Sequence, residues 1–220
     1  MKIDFKQIEL YLVTGPVPSS RLSLTALLEQ AVLGGVRLIQ FRSKNLSDQA
    51  FFEEAGKVLE ITNRYRVPLI INDRVEIARK LNASGIHLGQ EDMRISAARK
   101  IIGNKVIGKS THDLNEARQA VKENVDYINV GPLFLTQSKK TVSPLGVAIV
   151  TKISQQIKIP FTTMGGIDLN NVEAVIRAGA DRVAVMSALI DAPDPQRVAF
   201  EFLQKIHHAK KTRRFHASPK

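Results

Sequence analysis

The chain contains no cysteine, which excludes disulfides, thiolate zinc sites and a cysteine nucleophile and is compatible with a reducing compartment. Long hydrophobic runs are also missing. The N-terminal apolar stretch Ile8 to Val13 is far below the roughly 20 residues of a membrane span and carries no signal-peptide cleavage pattern. A soluble, cytoplasmic protein without a membrane partner is expected. No Gly-x-Gly-x-x-Gly turn follows the first strand-like run, which weighs against a dinucleotide site. His87 and His112 have neither cysteine nor a helical His-x-x-x-His companion for zinc, and Ser110 lacks the Gly-x-Ser-x-Gly elbow of a hydrolase.

What is present is a chain of 220 residues, 44% hydrophobic, which suits one large domain with a sizeable core. The net charge of +11 is uneven: Lys205 to Lys220 holds six lysines and arginines and no acid, so the remainder carries +5. Such a run reads as a solvated helix end followed by a disordered extension. We therefore place a catalytic domain over 1–204 and a basic tail over 205–220. Nucleic acid is not the expected partner, and a homo-oligomer is left open.

Apolar runs rich in β-branched residues alternate with segments of helical period. Strands are expected at Ile8 to Val13, Arg37 to Phe41, Pro68 to Ile71, Gly85 to Leu88, Lys105 to Gly108, Tyr127 to Val130, Pro160 to Met164 and Arg182 to Met186. Between them, spacings such as Leu24-Leu27-Leu28-Ala31-Val32 put apolar side chains on one helical face. Gly34-Gly35, Gly103 and Gly179 mark helix ends, and Asp113, Asn170 and Pro195 mark starts. Eight such units predict a single (β/α)8 barrel, an α/β fold that keeps its chemistry at the C-terminal ends of its strands. A doubly wound open sheet would give the same alternation. The count of eight and the missing dinucleotide turn favour closure.

Five polar stretches fall where the apolar runs end. They are Gln40-Phe41-Arg42-Ser43-Lys44, Ile71-Asn72-Asp73, His87-Leu88-Gly89-Gln90-Glu91-Asp92, Gly108-Lys109-Ser110-Thr111-His112, and Gly131 through Lys139. On one rim they would gather cations, two aspartates and several hydroxyls, a set suited to an anionic substrate with a divalent metal. Gln40, Arg42 and Lys44 alternate, so they share one face. Asn72-Asp73 alone would more simply be a turn or helix cap. Asp73 and Asp92 lie 19 residues apart, one strand later, and hard oxygen ligands on neighbouring loops suit Mg²⁺. Gly103 and Gly108-Lys109-Ser110 fall at phosphate-loop spacing, but a strand runs through the stretch and an interior strand cannot cradle phosphate. Gly165-Gly166 and Met186-Ser187 end the last two strands, where barrels commonly bind phosphate through backbone N–H groups. The glycines could equally serve only a tight turn.

Taken in order, these motifs resemble the thiamine phosphate synthase family from about Tyr11 to Leu189. They match its Q-x-R-x-K, I-N-D, H-x-G-Q-E-D, G-x-S-T-H, G-P-x-F-x-T-x-[TS]-K and G-G-I elements. The resemblance implies a transferase of thiamine biosynthesis. It would join hydroxymethylpyrimidine diphosphate to a thiazole phosphate with Mg²⁺, releasing pyrophosphate. It also implies metal binding by Asp73 and Asp92, and a diphosphate grip by Arg42, Lys44, Asn72 and Lys139. Gln40 and His87 would face the pyrimidine and Ser110 would sit near the reacting centre. Lys44, Ser110 and Lys139 would be the catalytic set. Thr136, Ser138, Gly166, Met186 and Ser187 would take the thiazole phosphate. Ser43, Lys109, Leu135 and Thr162-Thr163-Met164 depart from the family pattern without removing a mapped ligand. Two alternatives stand beside this reading: a related thiazole tautomerase using His112, and a non-catalytic basic binding protein using the tail.

Overall fold

The computed structural model describes residues 3–17, 22–136 and 143–217. Eight parallel strands close into a barrel in sequence order, β1 (Leu10–Val13), β2 (Leu38–Phe41), β3 (Leu69–Asn72), β4 (Gly85–Leu88), β5 (Val106–Thr111), β6 (Tyr127–Val130), β7 (Phe161–Thr163) and β8 (Val183–Val185). β1 pairs with β8 through Leu10↔Val183 to complete the ring. The expected barrel is therefore present. β5 runs on through Lys109 and Ser110 to Thr111, so the Gly-Lys-Ser sequence lies on a strand and is not a phosphate loop.

Helices α1 (Leu24–Leu33), α2 (Asp48–Arg64), α3 (Val75–Lys80), α4 (Ile95–Ile102), α5 (Leu114–Lys122), α6 (Ala148–Gln156) and α7 (Val172–Arg177) follow the strands in turn. A short α8 (Ser187–Ile190) and a long α9 (Pro195–Ala217) complete the series. Local side chains set the starts. Ser23 accepts from the Ala26 N–H, Ser47 from Ala50 and Asp113 from Glu116, satisfying amides the helix leaves unpaired. Before α7 the capping carboxylate belongs to Asp168, which accepts from the N–H groups of Asn170 and Asn171. The expected cap at Asn170 is thus displaced upstream, because the aspartate reaches both amides.

The boundary expected between residues 204 and 205 falls inside α9, which is continuous to Ala217. Composition showed the cations but not their partners. Lys210 meets Glu9 at 2.7 Å and Arg213 meets Asp181 at 2.5 Å. Arg213 also donates to the Ile176 and Ala180 carbonyls at the end of α7. Burial pushes the Glu9 carboxyl up, but hydrogen bonds from Lys210 and His207 outweigh this and leave it below its ordinary value. No helix among the described residues is long and apolar enough to cross a membrane.

Alternation along the strands divides the apolar residues into two cores. Leu10, Leu12, Ile39, Phe41, Ile71 and Ile86 face outward into the layer beneath the helices. Tyr11, Val13, Leu38, Ile70, Tyr127 and Ala184 face inward, closed from below by Ile3, Phe5 and Ile8. The inner core is filled unequally, with a large ring set against a strand position that carries no side chain. A Cβ on Gly108 would lie 2.1 Å from the Tyr127 ring and 2.6 Å from His87 Nδ1.

Gly108→Ala should therefore lower stability, by about 1–3 kcal/mol from overpacking. In an ordinary strand the same change would be mildly stabilising. Thermal melting should show a fall of several degrees, roughly 2–4 °C per kcal/mol at this chain length. An unchanged or raised midpoint would mean that the Tyr127 ring does not confine this position.

Candidate active site

Every strand end on one rim contributes to the site. Thr14, immediately after β1 and 1% exposed, pins the segment after β2: its hydroxyl accepts from the Arg42 N–H at 2.8 Å and donates to the Arg42 carbonyl at 3.1 Å. Arg42 is half-buried and lines the central cavity, whereas Lys44 is exposed on the rim. The loop carrying Lys44 is braced by Arg74. That guanidinium pairs with Asp48 at 2.7 Å, donates to the Leu46 carbonyl and lies 4.4 Å over the Phe51 ring.

Asn72 ends β3 opposite His87 of β4 and lines the same cavity. Asp73 follows in a left-handed conformation, φ 62°, with its N–H donating to the His87 carbonyl at 2.9 Å. Non-glycine residues seldom adopt that geometry, although aspartate tolerates it better than most. Neither residue caps α3, whose start carries no side-chain cap. Asp73 instead faces Asp92, which is itself held by the Gly89 N–H at 2.6 Å. Burial and the hydrogen bond and charge of Asp92 push the Asp73 carboxyl up to about 6, against the opposing pull of Lys44 and Arg42. A carboxyl whose ionisation is opposed by burial and a neighbouring carboxylate is stabilised in its charged form by a bound cation. Among the described residues no group of three or more histidines and carboxylates could hold a metal. A pair of oxygen donors fits Mg²⁺, which usually takes one or two carboxylates and completes its shell with water and phosphate oxygens.

Two connected cavities lie inside this rim. The central one is lined by Tyr11, Gln40, Asn72, His87, Ser110 and Asn129 among others. Its neighbour, about 290 Å³, is lined by Gly15, Gly165, Gly166, Ser187 and Asp191. Thr136, Met164, Gly165 and Met186 border both. Gly165 and Gly166 have φ of 99° and 63°, and a Cβ on Gly166 would lie 2.4 Å from the Leu135 carbonyl oxygen. Packing against the loop after β6 thus requires glycine here whether or not an anion binds.

Deeper down, His87 Nδ1 is 2.9 Å from the Tyr127 hydroxyl and Nε2 is 2.9 Å from Ser110 Oγ. The Thr162 hydroxyl donates to Asn129 Oδ1 at 2.7 Å. His112 lines the central cavity with Nδ1 2.9 Å from Glu116 Oε2. The structure therefore brings Gln40, Arg42, Asn72, His87, Ser110 and Thr136 to one cavity, with Gly166, Met186 and Ser187 at its neighbour. Lys44, Asp73 and Asp92 stand on the rim. Ser138 and Lys139 lie outside the described residues. Sequence reasoning missed Thr14, Tyr11, Tyr127 and Asn129. Strand parity was the available signal, since Tyr127 and Asn129 share a face, as do Tyr11 and Val13.

Cations and paired carboxylates at the C-terminal mouth, above a cavity large enough for a ring, put the chain among the (β/α)8 enzymes that act on small molecules. Comparison with known proteins narrows that class. The sequence model of the thiamine monophosphate synthase family matches residues 10–189. Thiamine-phosphate synthase of Halalkalibacterium halodurans is 44% identical over 191 residues, covering 86% of this chain and 90% of the relative. The Chloroflexus aurantiacus thiamine-phosphate synthase is also 44% identical, over 186 residues covering 84% and 86%. A solved thiamine phosphate pyrophosphorylase from Pyrococcus furiosus superposes with a TM-score of 0.84 at 30% identity, covering 93% of this chain and 98% of its own. The chain belongs to the thiamine monophosphate synthase family.

The position of Asp73 generates a pH dependence in metal-free protein. Its folded value of about 6 lies above the ordinary 3.8, so the stability it contributes is full below the ordinary value and lost as pH rises through the folded one. Between about pH 4 and pH 6, wild-type stability should fall relative to Asp73→Asn. Urea unfolding of both proteins at several pH values, with chelator present, measures that difference. A difference independent of pH, or of opposite slope, would remove the carboxylate pairing.

Proposed function

We propose that this protein is a Mg²⁺-dependent thiamine phosphate synthase. It couples hydroxymethylpyrimidine diphosphate to a thiazole phosphate and releases pyrophosphate. The observation that carries this reading is the Asp73–Asp92 pair beside Arg42 and Lys44, at the mouth of a cavity floored by Gln40 and His87. A diphosphate needs that mixture of cations and metal-binding oxygens, and an isomerase of a monophosphate does not. Asp73 and Asp92 would hold Mg²⁺, which when bound neutralises charge on the diphosphate.

The remaining chemistry falls to the chain's own groups. Arg42, Lys44, Asn72 and Lys139 bind the diphosphate and stabilise the charge it gains as its bond to the pyrimidine methylene breaks. The electron-rich aminopyrimidine supports the resulting cation, so the substitution is dissociative. Gln40 and His87 orient the ring. Thr136, Ser138, Gly166, Met186 and Ser187 hold the thiazole phosphate so that the thiazole nitrogen faces the cationic carbon. That nitrogen already has its lone pair, and no general base is needed.

A second reading, isomerisation of a thiazole phosphate, draws on the His112–Glu116 pair at the cavity wall. One experiment separates the two. Purified protein with both substrates and Mg²⁺ should give equal amounts of pyrophosphate and thiamine phosphate, and chelator should abolish both. Conversion of the unaromatised thiazole tautomer alone, with no pyrophosphate in the complete mixture, would favour isomerisation. Asp92→Asn should raise the Mg²⁺ concentration needed for half-maximal turnover without lowering the melting midpoint. Lys139→Ala should lower turnover by roughly 100- to 1,000-fold, the scale of losing one preorganised stabiliser of developing charge.

A further inference from the structure

The family resemblance puts Ser110 beside the reacting centre, but the proposed function gives no part to the two tyrosines beneath it, and the role inferred for them rests on that function. Five side chains from β1, β2, β4, β5 and β6 form one hydrogen-bonded row. The Gln40 amide donates to the Tyr11 hydroxyl. Tyr11 and Tyr127 hydroxyls are 3.2 Å apart, Tyr127 is 2.9 Å from His87 Nδ1, and His87 Nε2 is 2.9 Å from Ser110 Oγ. Tyr11, Tyr127, Gln40 and His87 are all 4% exposed or less. Water has little access to groups so enclosed, and their polar atoms depend on protein partners.

Direction follows from counting protons. Burial pushes both phenols well above their ordinary titration range, so each keeps its single proton. Tyr11 accepts from Gln40, and its own proton is therefore directed to its other partner, the Tyr127 oxygen. Tyr127 in turn directs its proton to His87 Nδ1. A ring nitrogen that accepts is bare, so in the neutral imidazole the proton resides on Nε2 and is donated to Ser110 Oγ. The Ser110 hydroxyl, accepting from below, has its own proton to give to the cavity it lines.

We propose that Tyr127, backed by Tyr11 and Gln40, is a positioning residue that fixes His87 as the Nε2–H tautomer and thereby makes the Ser110 hydroxyl a donor toward the substrate. A donor at this point suits an oxygen of the departing diphosphate, whose charge grows as the bond breaks. The reverse polarity would turn Ser110 toward His87 and present only lone pairs to an anion.

Nitrogen NMR of full-length protein carrying labelled histidine tests the row directly, with the His87 signals assigned by their loss in His87→Asn. At neutral pH without substrate, Nδ1 should show the shift of a bare ring nitrogen and Nε2 that of a protonated one. A protonated Nδ1 with a bare Nε2 would overturn the proposal. In turnover, Tyr127→Phe should lower kcat by about 10- to 100-fold, the scale of losing a residue that orients a functional histidine. KM for both substrates should stay within about threefold, because uniform binding is untouched. In a Ser110→Ala background the same replacement should cost less than about twofold more, since residues acting through one another are not additive. Losses that multiply in the double variant would reduce Tyr127 to packing and sink the proposal. Should the wild type form no thiamine phosphate, the functional reading falls, while the tautomer measurement still decides the polarity of the row.

Discussion

Two carboxylates held side by side are the constraint on which the rim depends. Repulsion between Asp73 and Asp92 is not relaxed by swinging either side chain away. Asp73 is fixed by a left-handed backbone and its bond to the His87 carbonyl, and Asp92 by the Gly89 N–H. Arg42 and Lys44 offset part of the repulsion, and these cations are in turn held by Thr14 and by the loop that Arg74 braces. The protein therefore carries a standing electrostatic cost that a bound cation would offset. Binding sites that are uncomfortable when empty draw affinity from that discomfort.

Below the rim the problem is inverted. Polar groups there are enclosed and must find partners inside the barrel. The row from Gln40 to Ser110 is the solution, and it depends on one strand position without a side chain: the bare Gly108 leaves room for the Tyr127 ring beside His87. Rim and floor thus use different physics. The rim keeps unbalanced charge near solvent, where screening limits its cost. The floor keeps neutral groups in strict complementarity.

The barrel was legible because two signals reinforced each other, β-branched apolar runs and helical spacings repeating eight times. The rim was legible because charged residues directly after a buried strand have few structural uses. Thr14 was not, since a lone threonine after a strand looks like any turn residue until its bonds to Arg42 are seen. Tyr11 and Tyr127 were read only as members of strands, which is silent about their hydroxyls. The C-terminal cations were read as a tail because composition records their charge but not Glu9 and Asp181, which lie far away in the chain. Long-range partners of ordinary residues are what a linear reading loses.

The closure of β1 against β8 also sets an order of assembly. The segments that bring Arg42, Lys44, Asp73 and Asp92 together are consecutive in the chain, so short loops suffice to join them. The cavity bordered by Gly15 and Ser187 joins residues from the two ends of the barrel, registered by Leu10↔Val183, and contacts of such separation form late. On the ribosome, the half of the rim that carries the paired carboxylates is synthesised long before the second cavity has its far wall. A nascent chain can gather its carboxylates and cations while having nowhere to seat a second substrate, so competence to join two molecules arrives only when the last strand docks.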